Sequence, residues 1–297
     1  MDAFNITFIG FGEVASSLSP EMQKMGARVS AYDILMENES GCKVLEKRAG
    51  AAGISILPLS RAVAGADFIL STVTTQAAEA AARSCAVHLK TGQIYFDLNA
   101  TTPSVKHAIA RIILPTGAEF VEGAILGAVG VSGAKTRILT GGAIAAQAAE
   151  TLNRFGLNAD AYSNEVGKAS TYKMLRSVFS KGMEALLIEF LIAGRRAGIQ
   201  DDLWQEISEL FTQNPFERVA ANWIQTHAGA HERRYHEMRQ VNGVLQEIGI
   251  DPVVSAAVEA FFERSCRLGF QSAFPEKPKS MDAVIAFMEK QLRKTGR

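Results

Sequence analysis

Lys173, Ser177 and Lys181 are spaced by four, so on a helix they share one face, with Arg176 three residues beyond Lys173 on an adjacent one. A polar stripe of this kind can serve chemistry if it borders a crevice, and is otherwise the solvated face of a surface helix. The second candidate lies near the start of the chain, where the strand-like stretch 4–9 meets Gly10, Phe11, Gly12, Glu13, Val14 and Ala15. This reads as a buried strand turning through glycines into a helix. Gly10 permits the tight turn, Gly12 lets the backbone approach a pyrophosphate, and Ala15 stands where strand and helix pack closely. Phosphates would rest on the amides at the helix N-terminus, although a glycine triplet alone is also compatible with an ordinary turn. Residues 28–33 form a second strand that ends in Asp33, about 20 residues past the glycines, a natural partner for ribose hydroxyls. Because Ile34 and Leu35 follow it rather than a base, its carboxylate would repel a 2′-phosphate, which favours NAD over NADP. The alternative is a strand-end aspartate with no ligand.

A third cluster excludes itself. His231 and Glu232 followed by His236 look like a zinc motif, but the histidines are five apart and fall on different helix faces, so no metal site is expected. These histidines and His227 read as surface or pocket polar groups. With Arg233 and Arg234 they either reach a substrate anion or form a solvated basic face.

The elements that position these groups change character along the chain. Up to about residue 163, strand patterns alternate with helical ones: 67–73, 93–98, 119–126 and 137–142 are strands, with helices near 76–87, after Pro103, and over 143–155. Thr72, Val73, Thr74 and Asn99 fall at carboxyl ends of strands, where ligands of open parallel sheets bind. From 164 to 297 only helical patterns occur, beginning with a long one over 165–197. The expected fold is therefore α/β: a Rossmann doubly wound parallel sheet over 1–163, followed by an all-α domain over 164–297.

Composition narrows the partners. The 297 residues carry 31 basic and 31 acidic side chains, so net charge gives no reason to expect nucleic acid or an anionic membrane. The longest apolar run, over 182–194, includes Glu184 and Glu189 and is too short to cross a bilayer. Cys42, Cys85 and Cys266 are far apart and suggest neither a disulfide framework nor a cysteine zinc site, which fits a cytoplasmic location. No basic stretch precedes the first strand, so no secretory signal is expected. The long apolar helices suggest a homodimer.

Together these residues resemble the β-hydroxyacid dehydrogenases, a family that includes 6-phosphogluconate, 3-hydroxyisobutyrate and tartronate semialdehyde enzymes. The resemblance covers most of the first 200 residues: the glycine turn at 10–15, the turn from Asp97 to Pro103, the loop at 123–133, and Gly167 six residues before Lys173. Glu189 and Gly198 also stand where the family commonly has Glu and Gly. The C-terminal segment around Arg233 to Met238 is similar to a phosphogluconate-dehydrogenase-like branch.

The resemblance implies that Lys173 is the catalytic lysine, taking the hydroxyl proton as NAD receives a hydride from a small 3-hydroxy acid or sugar acid. A lysine titrates near about 10.4, so burial and nearby positive charge, with Arg176 and Lys181 as candidates, must lower it. Leu126, Gly127 and Ala128 replace the family's Ser-Gly-Gly, and Ser177 replaces its asparagine, so the pocket is altered and Leu126, Gly127, Ser132 and Ser177 are the expected substrate contacts. Imine reductases resemble the same family but usually lack the lysine. A non-catalytic NAD-binding sensor or scaffold is the alternative from a different class.

Overall fold

The computed structural model describes residues 4–294. The chain divides into two compact units, Met1–Val178 and Phe179–Arg297.

In the first unit, β1 (Asn5–Ile9), α1 (Glu13–Lys24), β2 (Arg28–Tyr32), α2 (Glu39–Ala52), β3 (Ser55–Ile56), α3 (Leu59–Ala64), β4 (Phe68–Ser71), α4 (Ala78–Ala86), β5 (Ile94–Asp97) and α5 (Pro103–Ile113) alternate. They are followed by β6 (Glu119–Leu126), the short α6 (Val129–Ser132), β7 (Arg137–Gly141), α7 (Ala145–Arg154) and β8 (Asn158–Ser163). The strands form one sheet in the order β3-β2-β1-β4-β5-β6-β7-β8. This is the Rossmann-like, parallel-dominated α/β architecture that the alternating pattern implies.

Why these segments fold this way is legible in their side chains. The central strands are mostly apolar and almost wholly buried, as strands covered on both faces must be. Phe8, Phe68, Leu70 and Phe96 pack on one side, and Ile9, Ile69 and Tyr95 on the other. On α1 the buried residues Ala15, Leu18, Ser19 and Met22 follow the helical period, so one stripe faces the sheet. Pro103 opens α5, where its fixed φ suits the first turn and its missing N–H is no loss.

One strand pair departs from the parallel rule: β6 and β7 run antiparallel, Leu126 opposite Arg137. The connection between them holds only α6 and a tight turn, which is too short to carry the chain back for a parallel crossover. The order reverses between β1 and β4, where Thr72 N–H donates to the Ile9 carbonyl at 2.8 Å. A crevice at the carboxyl ends of the strands opens at such a switch point.

The helix α8 (Lys168–Ala197) begins in the first unit, and the division between the units falls within it. The second unit continues with α9 (Gln200–Gln213), α10 (Phe216–Glu247), α11 (Val253–Cys266), α12 (Phe270–Ala273) and α13 (Met281–Lys294). Its small core joins Ala228, Phe270 and Val284, with Ile224, Phe274 and Phe287 packed around them. The Glu189 carboxylate accepts from the Val254 and Ser255 amides, both at 2.8 Å, and so tethers the start of α11 to α8. No described helix is long and apolar enough to cross a membrane.

Candidate functional site

The glycine turn is built tightly. Gly10 has φ +88°, and a Cβ there would lie 2.8 Å from the Thr72 carbonyl oxygen, so no side chain is tolerated. Thr72 Oγ1 donates to the Gly10 carbonyl at 2.6 Å, locking the ends of β1 and β4 together. Gly12 is different: a Cβ there would meet nothing within 4 Å, which leaves the backbone open to a ligand. It caps α1 without any side-chain hydrogen bond, so the first amides of the helix are left for an anion.

Asp33 ends β2 with one carboxylate oxygen accepting from the Phe11 amide at 2.7 Å and the other from the Leu35 amide at 2.9 Å. Each oxygen keeps a lone pair for a further donor. Gly10, Gly12, Asp33 and Thr72–Thr74 line a cavity of about 310 Å³ that continues between Tyr32, Leu59 and Ala81. An apolar slot with a carboxylate at its rim suits an adenosine, and these residues fit a dinucleotide. Phe11 contributes only its backbone, since its ring is fully buried in the core.

A second cavity of about 540 Å³ shares Thr72, Val73 and Thr74 with the first, and adds Glu13, Val14, Asn99, Gly127 and Lys173. One continuous crevice in the first unit thus joins the cofactor residues expected from the sequence to the lysine. Lys173 lies half-buried on α8. Burial, and then the charge of Lys106, hold its amine below the ordinary lysine value. The contributing charge is therefore Lys106 of α5 and not Arg176 or Lys181. Sequence reasoning missed it because a lysine inside a helix reads as solvent-facing, whereas Lys106 is 1 % exposed and bonded to Asp97.

Three expected substrate contacts lie outside the crevice lining. Leu126 alternates away from Ile125, which does line it, and packs with Ala124, Leu139 and Ala169. Ser132 ends α6 and is exposed. Ser177 Oγ donates to the Lys173 carbonyl at 3.0 Å, a bond within the helix. Gly127 alone of the four faces the crevice.

Glu122 is a second residue that the sequence did not single out. It is fully buried on β6, and its Oε1 accepts from the amides of Gly167 at 2.7 Å and Ala169 at 2.9 Å. It therefore caps the helix that presents Lys173.

His236 is exposed, as expected, but His227 and His231 are not surface or pocket groups. His227 and His231 are 6 % and 3 % exposed, enclosed in the helical unit. His227 packs on Phe261, Phe262 and Phe270 and bonds Ser265 Oγ at 3.1 Å. Helical periodicity turns that face of α10 inward, where the aromatic residues of α11 and α12 cover it. Burial, then His231 and Arg234, push the His227 imidazole down to about 4. Arg233 pairs with Glu237, and Arg234 donates to Thr226 Oγ1 at 2.8 Å.

A switch-point crevice with a glycine turn and an acidic strand end defines an oxidoreductase-like, NAD(P)-binding fold. Residues 5–101 match the family model described as NADP oxidoreductase, coenzyme F420-dependent, and residues 195–265 match a domain of unknown function (DUF1932). A conserved hypothetical protein from Sinorhizobium meliloti 1021 is 30 % identical, with 97 % of this chain and 96 % of that one covered and a TM-score of 0.62. The conserved protein MTH1747, of unknown function, is 32 % identical over 91 % of this chain and 98 % of its own, with a TM-score of 0.61; its structure reveals similarity with 3-hydroxyacid dehydrogenases. The chain belongs to the β-hydroxyacid dehydrogenase-like family. An imine reductase from Myxococcus stipitatus, in complex with NADP+, shares the fold at 17 % identity over 96 % of this chain and 99 % of its own, with a TM-score of 0.76.

Proposed function

We propose that this protein is an NAD-dependent oxidoreductase that moves a hydride between its cofactor and a 3-hydroxy acid or sugar acid, with Lys173 as the general base. The observation that carries this reading is the position of Lys173: half-buried, in one crevice with Thr72–Thr74 and Asn99, its amine lowered by burial and by Lys106. A bound nicotinamide supplies the hydride acceptor or donor. The chain's own groups do the rest. The α1 amides and Gly12 hold phosphates, Asp33 holds ribose hydroxyls, Asn99 contacts the cofactor, and Gly127 borders the space left for the substrate. In oxidation the neutral Lys173 amine takes the hydroxyl proton, and in reduction the ammonium returns it.

The carboxylate of Asp33 supports NAD over NADP, because a 2′-phosphate beside it would be repelled. Oxidation in the cytoplasm is consistent with three free thiols. A homodimer belongs to the same reading: Leu186, Ile188 and Ile192 on α8, with Val241 and Val244 on α10, are each 41–55 % exposed, and a second copy would cover them. Light scattering on purified protein tests this, and a monomer at micromolar concentration would refute it.

Imine reduction is the competing reading, supported by the shared fold, and Lys173 separates the two. A panel of 3-hydroxy acids, sugar acids and cyclic imines, followed by NADH absorbance, identifies the substrate class. Lys173→Met is expected to abolish acid oxidation while leaving NAD affinity, read by calorimetry, nearly unchanged. Substantial turnover in that variant would remove the general-base assignment.

A further inference from the structure

Lys106 is a lysine on the buried stripe of α5, where a helix facing a sheet ordinarily carries an apolar side chain. It lies on the inner face of α5 with Ile109, Ala110 and Ile113. Enclosing an ammonium is costly, and apolar replacement of buried ion pairs is often neutral or stabilising. Here the ammonium makes two hydrogen bonds and one ion pair. Nζ donates to the Asp97 carbonyl at 2.9 Å and the Asn99 carbonyl at 2.7 Å, and lies 3.1 Å from Asp97 Oδ2.

These acceptors belong to the turn that leaves β5. Asn99, held from above by its own bonds to Ser71 Oγ at 2.8 Å and Asp97 Oδ1 at 2.5 Å, lines the crevice together with Lys173. The other charged groups around Lys173 are Glu13 in the crevice wall, Glu122 at the start of α8, Asp97 beneath the turn and Arg176 on the same helix. Two carboxylates, Asp97 and Glu122, occupy paired positions on β5 and β6, and Lys106 is the cation placed against Asp97.

We propose that Lys106 is a positioning residue for the chemistry assigned to Lys173: its ammonium fixes the turn of residues 97–99 and keeps a permanent positive charge near the Lys173 amine. This rests on the reading of Lys173 as the general base, and supplies what that reading requires. An amine beside a fixed cation gives up its proton more readily, so Lys173 is poised to accept one from a substrate hydroxyl.

The test uses the full-length protein and needs no substrate. Competitive acetylation with acetic anhydride across pH, read by peptide mass spectrometry, gives the pH at which each lysine becomes half-reactive. Lys173 is expected to do so at lower pH than Lys168, an exposed lysine on the same helix. Lys106→Met combined with Asp97→Asn removes the pair without stranding a carboxylate, and is expected to raise the Lys173 midpoint. Lys106→Arg, which keeps the charge, should hold it low. If the double variant does not fold, Asp97→Asn alone leaves the ammonium without its counter-ion and should move the Lys173 midpoint down. An unchanged midpoint in a folded double variant, or in Asp97→Asn, overturns the proposal. An active Lys173→Met enzyme would instead overturn the general-base reading, so the two failures are distinguishable.

Discussion

Truncating Glu122 should loosen the helix that carries Lys173 before it affects anything else. Glu122→Ala removes the side-chain acceptor of the Gly167 and Ala169 amides, both buried at the start of α8. Hydrogen bonds to a charged group are worth about 1.5–3 kcal/mol each, so the two amount to roughly 3–6 kcal/mol gross. Part of this is offset by the cost of enclosing the carboxylate, whose Oε2 has no hydrogen-bond partner among the described residues. The net loss should be about 2–4 kcal/mol, with Glu122→Gln, which retains one acceptor oxygen, losing about half as much. Because the chain has two compact units, a single global melting curve does not isolate this effect. Amide hydrogen exchange does: peptides covering residues 167–173 should lose protection, while those in α11 and α13 should not change. If α8 keeps its protection in Glu122→Ala, the carboxylate does not hold the helix start and the positioning argument for Lys173 fails with it.

Two further outcomes follow from the same geometry. Asp33→Ala should narrow the preference for NAD over NADP, measured by calorimetry with both cofactors, and equal or tighter NADP binding by the wild type would show that Asp33 does not face the ribose. His227, held near 4 in the folded state against about 6.5 when unfolded, binds its proton more readily in the unfolded chain. Its contribution is therefore complete above pH 6.5 and is lost as pH falls toward 4, by at most about 3 kcal/mol. Urea midpoints at pH 7.5 and 4.5 should differ less in His227→Gln than in the wild type, and an identical pH dependence in the two would refute the assignment.

The sequence was most informative where local chemistry dictates backbone geometry. Gly10 must be glycine because its φ is positive and Thr72 lies against it, and the pattern of strand, glycines and helix expressed that directly. The alternation of strands and helices before residue 163, and its loss afterwards, follows from which faces each element must bury. What was not legible depends on register between distant segments. Leu126 and Ile125 are equally apolar, and only the pleat of β6 decides which one borders the crevice. His227 and His231 look like surface groups until the phenylalanines at 261, 262 and 270, more than thirty residues away, close over them. The antiparallel turn from β6 to β7 was hidden for a related reason, because a glycine-rich stretch carries little hydrophobic pattern from which to read direction.

Asp97 and Glu122 show why the crevice could not be read one residue at a time. They are directly paired across β5 and β6 and both are fully buried, which would be untenable for two carboxylates without compensation. Each finds a different one. Asp97 faces the Lys106 ammonium, and Glu122 faces the uncapped amides at the positive end of α8. Both solutions act on the same object, since Lys106 secures the turn that carries Asn99 and Glu122 secures the helix that carries Lys173. Two neighbouring acids in the sheet thus determine where the two walls of the crevice stand. A substitution at either one should be felt in the crevice even though neither side chain lines it.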